Sequence, residues 1–198
     1  MGGIQRRVLV VVAAAIATGC SSTTATRRQA SLSSNEVVFL VQKMVTAATG
    51  ALSSLQPTNR ASAASRGLRS PVSFQVSTAY DCEQGGQIVL EGSVAGNIDD
   101  ATGSGALATT ATQTLAFCHT AVGGTEMILD GVLQLTGNYV LVGGTPANDQ
   151  SATLSGEMAI SAAPRGSGTC SVDLSFSFKI DTQIATVTGT ACGLAIGL

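Results

Sequence analysis

The chain has 198 residues, of which 11% are charged and 4% aromatic, with no Trp and a formal net charge of −2. This length suits one domain with a single core, and the chain lacks the clustered Lys and Arg of a nucleic-acid-binding protein. The small net charge conceals an asymmetry. Residues 20–70 contain six basic groups and one acidic group, whereas residues 71–198 contain two basic and eleven acidic groups. A basic segment is attracted to an anionic lipid surface and an acidic body is repelled by it. Arg27 and Arg28 serve equally well as ordinary solubilising residues of a linker.

The first 19 residues have the pattern of an export signal. Arg6 and Arg7 precede an apolar run over residues 8–17, which is followed by small residues and by Cys20. A charged start, an apolar middle and a small-residue exit are typical of such signals, and the run is much shorter than the ~20 residues that cross a bilayer. Cleavage at an ordinary Ala-x-Ala site within residues 13–17 is the alternative to cleavage directly before Cys20.

The residues around Cys20 resemble the lipobox of bacterial prolipoproteins, with small residues at the exit and Gly19 directly before the cysteine. The resemblance covers residues 1–22, although the position usually held by Leu is Ala17. It implies cleavage before Cys20, a diacylglycerol on the Cys20 thiol and acylation of the new amino terminus. It also implies anchoring to a membrane of the bacterial cell envelope. By the same resemblance, the residue after the lipidated cysteine helps to decide between the membranes of a two-membrane bacterium. It is Ser21 here and not Asp, which favours the outer membrane.

A flexible tether over residues 20–32 and one domain over residues 33–198 are predicted to follow. Ser33 and Glu36 match a capping box, and apolar residues then recur at helical spacing, which predicts an amphipathic helix over residues 34–56. Because Lys43 is its only cation, we expect the helix to pack on the protein's own sheet rather than on a membrane surface. Residues 57–71, which begin and end with proline, are predicted to be a linker.

From residue 72 to residue 198 the apolar period changes to two, which predicts strands with one wet face in an antiparallel sheet. The candidate strands are 72–80, 86–96, 106–118, 125–136, 138–143, 151–162, 172–180 and 183–193, and turn residues separate most of them. The expected fold is α+β and mainly β, with one N-terminal amphipathic helix packed on a curved antiparallel sheet of about eight strands.

Four of these strands share an apolar pattern with a glycine at its centre. A glycine within a strand usually marks a bend, a bulge or a close approach of backbone, although a chance alignment in a Gly-rich chain is the alternative. We expect the four glycines to form a trough in which the small residues of the helix lie: Gly92, Gly131, Gly156 and Gly189 against Ala47, Ala48 and Ala51.

The four cysteines that follow Cys20 predict two disulfides, because an even number in an exported chain is typical of disulfide pairing. A meander brings neighbouring strand ends together, which favours Cys82–Cys118 and Cys170–Cys192 among the three pairings. A metal site is the competing interpretation. It is disfavoured because no cysteine pair has C-x-x-C spacing and His119 is the single histidine.

No catalytic residue, metal or cofactor is expected. A hydrolase would have to use His119, no G-x-S-x-G motif is present, and a paired Cys118 offers no thiolate. The oxygen-rich segment 97–103 supplies too few ligands for calcium and is more simply a solvated turn. Three function classes remain. They are a non-enzymatic structural, scaffolding or assembly lipoprotein with an envelope protein partner, a carrier of an apolar ligand such as lipid in a cavity between sheet and helix, and an enzyme, which these residues disfavour.

Overall fold

The structure, a computed structural model, describes residues 29–53, 69–147, 149–164, 166–179 and 184–198. It contains one helix, α1 (Ser34–Ser53), and nine strands of one antiparallel sheet. The strands are β1 (Arg69–Asp81), β2 (Gln87–Asp99), β3 (Gly105–Val122), β4 (Thr125–Val142), β5 (Thr145–Pro146), β6 (Asp149–Ala162), β7 (Gly166–Lys179), β8 (Ile184–Ala191) and β9 (Leu194–Gly197). The expected fold class is confirmed. The predicted signal, Cys20, residues 21–28 of the predicted tether, the predicted helix end 54–56 and linker residues 57–68 lie outside the described residues.

The sheet is a meander in which each long strand pairs with the next, in the order β1-β2-β3-β4-β6-β7-β8-β9, while β5 pairs with β4. Strands β1 and β9 are therefore its two edges, and the sheet is not closed on itself. Helix α1 contacts both edges and also contacts β2 and β3. Because a 20-residue helix is only ~30 Å long, the sheet has to coil around it for both edges to reach it.

The start of α1 is fixed by the predicted capping box. The Ser33 backbone nitrogen donates to Glu36 Oε2 at 2.7 Å, and the Glu36 backbone nitrogen donates to Ser33 Oγ at 3.4 Å. Two backbone donors of the first turn are thereby satisfied. The apolar residues that follow at helical spacing are buried against the sheet: Val37, Leu40, Val41, Met44, Val45 and Ala48.

The two faces of the sheet differ sharply in chemistry. The inner face is packed with fully buried aliphatic side chains, including Leu90, Leu115, Leu133 and Leu154. The outer face carries short hydroxyl side chains, and one register crosses six strands as Ser93, Thr110, Thr136, Thr153, Ser175 and Thr188. Neutral hydroxyls thus supply much of the polarity that charged residues supply in most proteins.

Several element boundaries differ from those expected. Strand β4 runs without a break through Gly137, where the sequence predicted two strands, 125–136 and 138–143. This glycine marks a close approach of β4 to β6, since a Cβ there would lie 2.9 Å from the Ala152 Cβ. Strand β1 begins at Arg69, so residues 69–71 belong to the sheet and not to the linker. Strand β7 begins at Gly166, and β9 forms because the chain turns at Cys192 and Gly193.

The residues just before α1 are docked on the sheet. Gln29 forms a parallel bridge with Thr169, and the Ala30 nitrogen donates to the Thr169 carbonyl at 2.8 Å. Ala30 and Leu32 are partly buried against the core. The packed part of the chain therefore includes Gln29, four residues before the domain start that the composition of the tether indicates.

The glycine trough beneath the helix is not formed, and that expectation was wrong. Three of the glycines, Gly131, Gly156 and Gly189, lie on a diagonal across β4, β6 and β8. The second and the third are each two residues away from the position that stands in register with the glycine before it. Gly156 and Gly189 are exposed, and a Cβ at each of the four positions would meet the adjacent strand rather than α1. At Gly131 the nearest atom would be the Met158 Cα at 2.7 Å. These glycines let neighbouring strands approach where the sheet coils.

The coiling predicts a strong effect at Gly189, whose φ is +136° and whose Cβ would lie 2.1 Å from the Asp173 carbonyl oxygen. We expect Gly189→Ala to lower the free energy of unfolding by about 3 kcal/mol, from backbone strain and overpacking. Gly197→Ala is the matched control, since nothing lies within 4 Å of its Cβ position. Chemical denaturation measures both variants, and equal stabilities would contradict this account of the coil.

Candidate functional site

Both disulfides lie at one end of the sheet. We call it the disulfide end: β1, β3, β6 and β8 finish there, and β2, β4, β7 and β9 begin there. Cys82 pairs with Cys118 across a Cα–Cα distance of 5.4 Å, and Cys170 pairs with Cys192 across 4.3 Å. The pairing expected from a meander is confirmed.

A bulge turns Cys118 toward the core. Leu115 and Cys118 both face inward although three positions separate them, because Ala116 and Phe117 together stand opposite Asp130 of β4. Phe117 takes up the extra residue with a φ of +46° and is 67% exposed. The bulge reverses the alternation of the strand. Before it the odd-numbered residues of β3, such as Leu115, face inward, and after it the even-numbered residues Cys118 and Thr120 do so.

The second disulfide depends on a similar backbone feature. Cys192 has a φ of +48° and lies in the tight turn after β8, where its nitrogen donates to the Ser171 carbonyl at 2.9 Å. Among the described residues, Phe117 and Cys192 are the two non-glycine residues with positive φ. Each disulfide is thus formed where a left-handed residue interrupts the strand alternation.

The turn between β1 and β2 folds onto the bulge. The His119 nitrogen donates to the Gly85 carbonyl at 2.8 Å, and the Gln84 nitrogen donates to the His119 carbonyl at 3.3 Å. A Cβ on Gly86 would lie 1.9 Å from the Phe117 carbonyl oxygen, so this position requires glycine. The contribution of His119 that the structure displays is therefore through its backbone.

A cavity of about 380 Å³ lies between α1 and the disulfide end of the sheet. Its apolar lining comes from the helix, from strands β1 to β4 and from the Cys82–Cys118 disulfide, and it includes Met44, Ala47, Ile88, Leu115 and Leu129. The volume is within the range of ~300–1,000 Å³ typical of small-molecule sites. This is the strongest candidate for a binding site in the described part of the chain.

Charged groups stand at the opening of this cavity. Lys43 forms an ion pair with Glu83, and its ammonium lies 5.3 Å from the centre of the Phe39 ring. Thr120 Oγ1 donates to the other Glu83 oxygen at 3.3 Å. Hydrogen bonding and attraction from Lys43, chiefly, hold the pKa of Glu83 below its ordinary value. Asp81 adds a second, exposed carboxylate to the same opening.

One polar group is left unpaired deep in the core beside the cavity. Gln113 is fully buried and donates from Nε2 to the Met44 carbonyl at 3.5 Å, but its Oε1 has no hydrogen-bond partner. A buried unpaired acceptor of this kind costs ~1–3 kcal/mol. Gln113 lies two positions before Leu115 on the inner face of β3, so it is next to the cavity wall.

The oxygen-rich segment 97–103 forms a hydrogen-bonded turn. The Asp99 carboxylate accepts hydrogen bonds from the Ala101 nitrogen at 3.0 Å and the Thr102 nitrogen at 2.9 Å. The bond from Thr102 is the main reason why the pKa of Asp99 lies below its ordinary value. Across the described ranges no three His, Cys, Asp or Glu side chains are grouped as metal ligands would be. Helix α1, the single helix described, does not combine the length and apolar character of a membrane span.

No family model matches this sequence, and no match to a curated protein or a solved structure was found. What the chain does must therefore be inferred from its own residues and geometry. The sequence pointed to Cys82 and Cys118 as partners and left a cavity between sheet and helix open as an alternative, but it did not indicate that this disulfide helps to line one. The one signal of the bulge in the sequence is that Cys118 falls on the polar face of its strand if the alternation of the preceding apolar residues is continued.

The positive φ of Phe117 leads to a direct prediction. An L-residue in the left-handed region costs ~1–2 kcal/mol relative to glycine, and little apolar burial is lost from a side chain that is 67% exposed. We expect Phe117→Gly to raise the free energy of unfolding by about 1 kcal/mol, whereas Phe117→Ala should leave it nearly unchanged. Urea denaturation tests this pair, and a glycine variant less stable than the alanine variant would refute the strain at the bulge.

Proposed function

We propose that this protein is a lipid-anchored lipoprotein of the bacterial cell envelope with a non-enzymatic structural, scaffolding or assembly role. The observation that carries the proposal is the signal-like segment that ends at Gly19 and Cys20. A diacylated and N-acylated Cys20 supplies more than one chain, which is what firm membrane anchoring requires. In a two-membrane bacterium, Ser21 directs the protein to the outer membrane.

The domain that follows suits an oxidising compartment outside the cytoplasm. Its four cysteines are joined in two pairs, which is the usage typical of exported proteins and removes the thiolates that a cysteine nucleophile would need. The inner face of the sheet is filled by aliphatic side chains over most of its area. A core filled in this way favours a scaffolding role, with an envelope protein as the partner.

The anchor is tested by Cys20→Ser in a host that processes lipoproteins. We expect the wild type to partition into the detergent phase of a membrane extract and the variant to remain in the aqueous phase, because each buried CH₂ contributes ~0.8 kcal/mol to membrane binding. Ser22→Ala, with Cys20 intact, is the control and should behave as the wild type. Equal partitioning of wild type and Cys20→Ser would reject the anchor.

Binding of an apolar ligand is a second candidate function, and the 380 Å³ cavity between α1 and the disulfide end favours it. Its walls are aliphatic and sulfur-containing, whereas polar groups stand at its opening. This is the usual arrangement of a ligand site, in which apolar contacts supply affinity and a few polar groups fix orientation. The site is confined to one end of the sheet, so it is compatible with the scaffolding role.

Substitutions at two neighbouring alanines of α1 test whether the cavity is empty or part of a filled core. Ala47 lines the cavity, whereas Ala48 is fully buried and does not line it. We expect Ala48→Leu to overpack the core and to destabilise by ~1–3 kcal/mol, while Ala47→Leu extends into open volume and leaves the melting temperature nearly unchanged. Equal losses in Ala47→Leu and Ala48→Leu, measured by thermal unfolding, would rule out an available cavity.

A further inference from the structure

We propose that the ligand of this cavity is a single aliphatic chain with an uncharged, hydroxyl-bearing head, taken up from the membrane beside the domain. A monoacylglycerol has this chemistry. The inference rests on the second function proposed above, and it names the class of ligand and the side from which the ligand enters.

The position of the tether places the cavity near a membrane. Gln29 is docked against Thr169 and Gly193, next to the Cys170–Cys192 disulfide, and so lies at the disulfide end of the sheet. The cavity is lined by Cys82 and Cys118 at the same end. Gln29 is nine positions after Cys20, and nine steps of fully extended chain span only about 30 Å. An anchor at Cys20 therefore keeps the end that bears the cavity close to the bilayer surface.

The volume of the cavity favours a ligand with one chain. At about 380 Å³ it stands near the lower end of the ~300–1,000 Å³ typical of small-molecule sites. A site of this size suits a single aliphatic tail better than the two tails of a phospholipid. The walls, which include Met44, Ile88 and Leu129, offer apolar contact along such a tail.

The charges at the opening select against an anionic head. Among the described residues, Lys43 is the one basic residue that lines the cavity, and its ammonium is already paired with Glu83. Asp81 contributes a further carboxylate, so the cavity-lining residues carry two negative charges and one positive charge. A fatty-acid carboxylate would have to displace Glu83 from Lys43 and then lie beside two carboxylates. A hydroxyl head can instead donate to Glu83 and accept from the amide of Gln42, which also lines the cavity.

The ligand class is tested by titrating monolaurin and laurate, below their micellar concentrations, into the full chain carrying Cys20→Ser. Calorimetry measures both dissociation constants at a pH at which laurate is ionised. We expect monolaurin to bind about fivefold more tightly, which is the size of an exposed charge–charge effect. Glu83→Gln frees Lys43 for the laurate carboxylate and should abolish or invert that preference. Lys43→Met is the matched control, since it removes the cation and should preserve the discrimination against laurate.

The possible results separate the two proposals. Equal binding of the two probes, or tighter binding of laurate by the unaltered opening, overturns the uncharged-head assignment while leaving apolar-ligand binding in place. Binding of neither probe, in a protein whose melting transition is intact, overturns apolar-ligand binding itself. A preference for monolaurin that is lost in Glu83→Gln, together with weaker binding of both probes by Ala47→Leu, supports the assignment.

Entry from the membrane has its own measurement. Vesicles that contain a fluorescent monoacylglycerol are mixed with equal amounts of the lipidated wild type or of Cys20→Ser. Tethering raises the effective concentration of the cavity at the bilayer, so we expect the wild type to load at least tenfold faster. Equal loading rates would overturn uptake from the membrane beside the domain.

Discussion

A single sheet can meet one short helix with both of its edges only if it coils tightly, and this constraint governs the rest of the structure. Tight coiling brings adjacent strands closer than a Cβ atom allows, and glycines stand where the approach is closest. At Gly189 a side chain would meet the carbonyl oxygen of β7, and at Gly92 it would meet the backbone of β3. The helix in turn receives contacts from β1 and β9, which have no partner strand on their outer sides among the residues that the structure describes.

The disulfide end shows how the coil is fastened. The bulge at Ala116 and Phe117 redirects the end of β3 so that Cys118 faces inward and reaches Cys82. The same change of direction turns Thr120 toward Glu83, and the Lys43 ammonium lies on the other side of that carboxylate. One extra residue in a strand therefore closes a disulfide and also assembles the polar opening of the cavity.

Much of this fold could be predicted because its signals are local. Ser33 and Glu36 mark the helix start within four residues, and the period of two marks the strands. The cysteine pairing followed from the meander. The glycine pattern was recognised but its cause was misjudged, since sequence parity does not reveal whether a neighbouring strand or a helix crowds a position. A cavity between sheet and helix was one of two alternatives that the sequence left open, and its position could not be predicted. It depends on how Met44 and Ala47 pack against Ile88 and Leu115, which are remote in the chain, and on a bulge that the apolar pattern marks only by a change of parity.

The docked segment before α1 also determines how the domain would carry mechanical load. A pull transmitted from residue 28 enters the fold at Gln29, which pairs with Thr169 beside Cys170. Cys170 is covalently joined to Cys192, so the load passes at once to the last two strands as well as to β7. Force applied at this point meets a cross-link before it can unzip an edge strand. The far end of the sheet, where β3 begins and β4 ends, is then mechanically insulated from the tether.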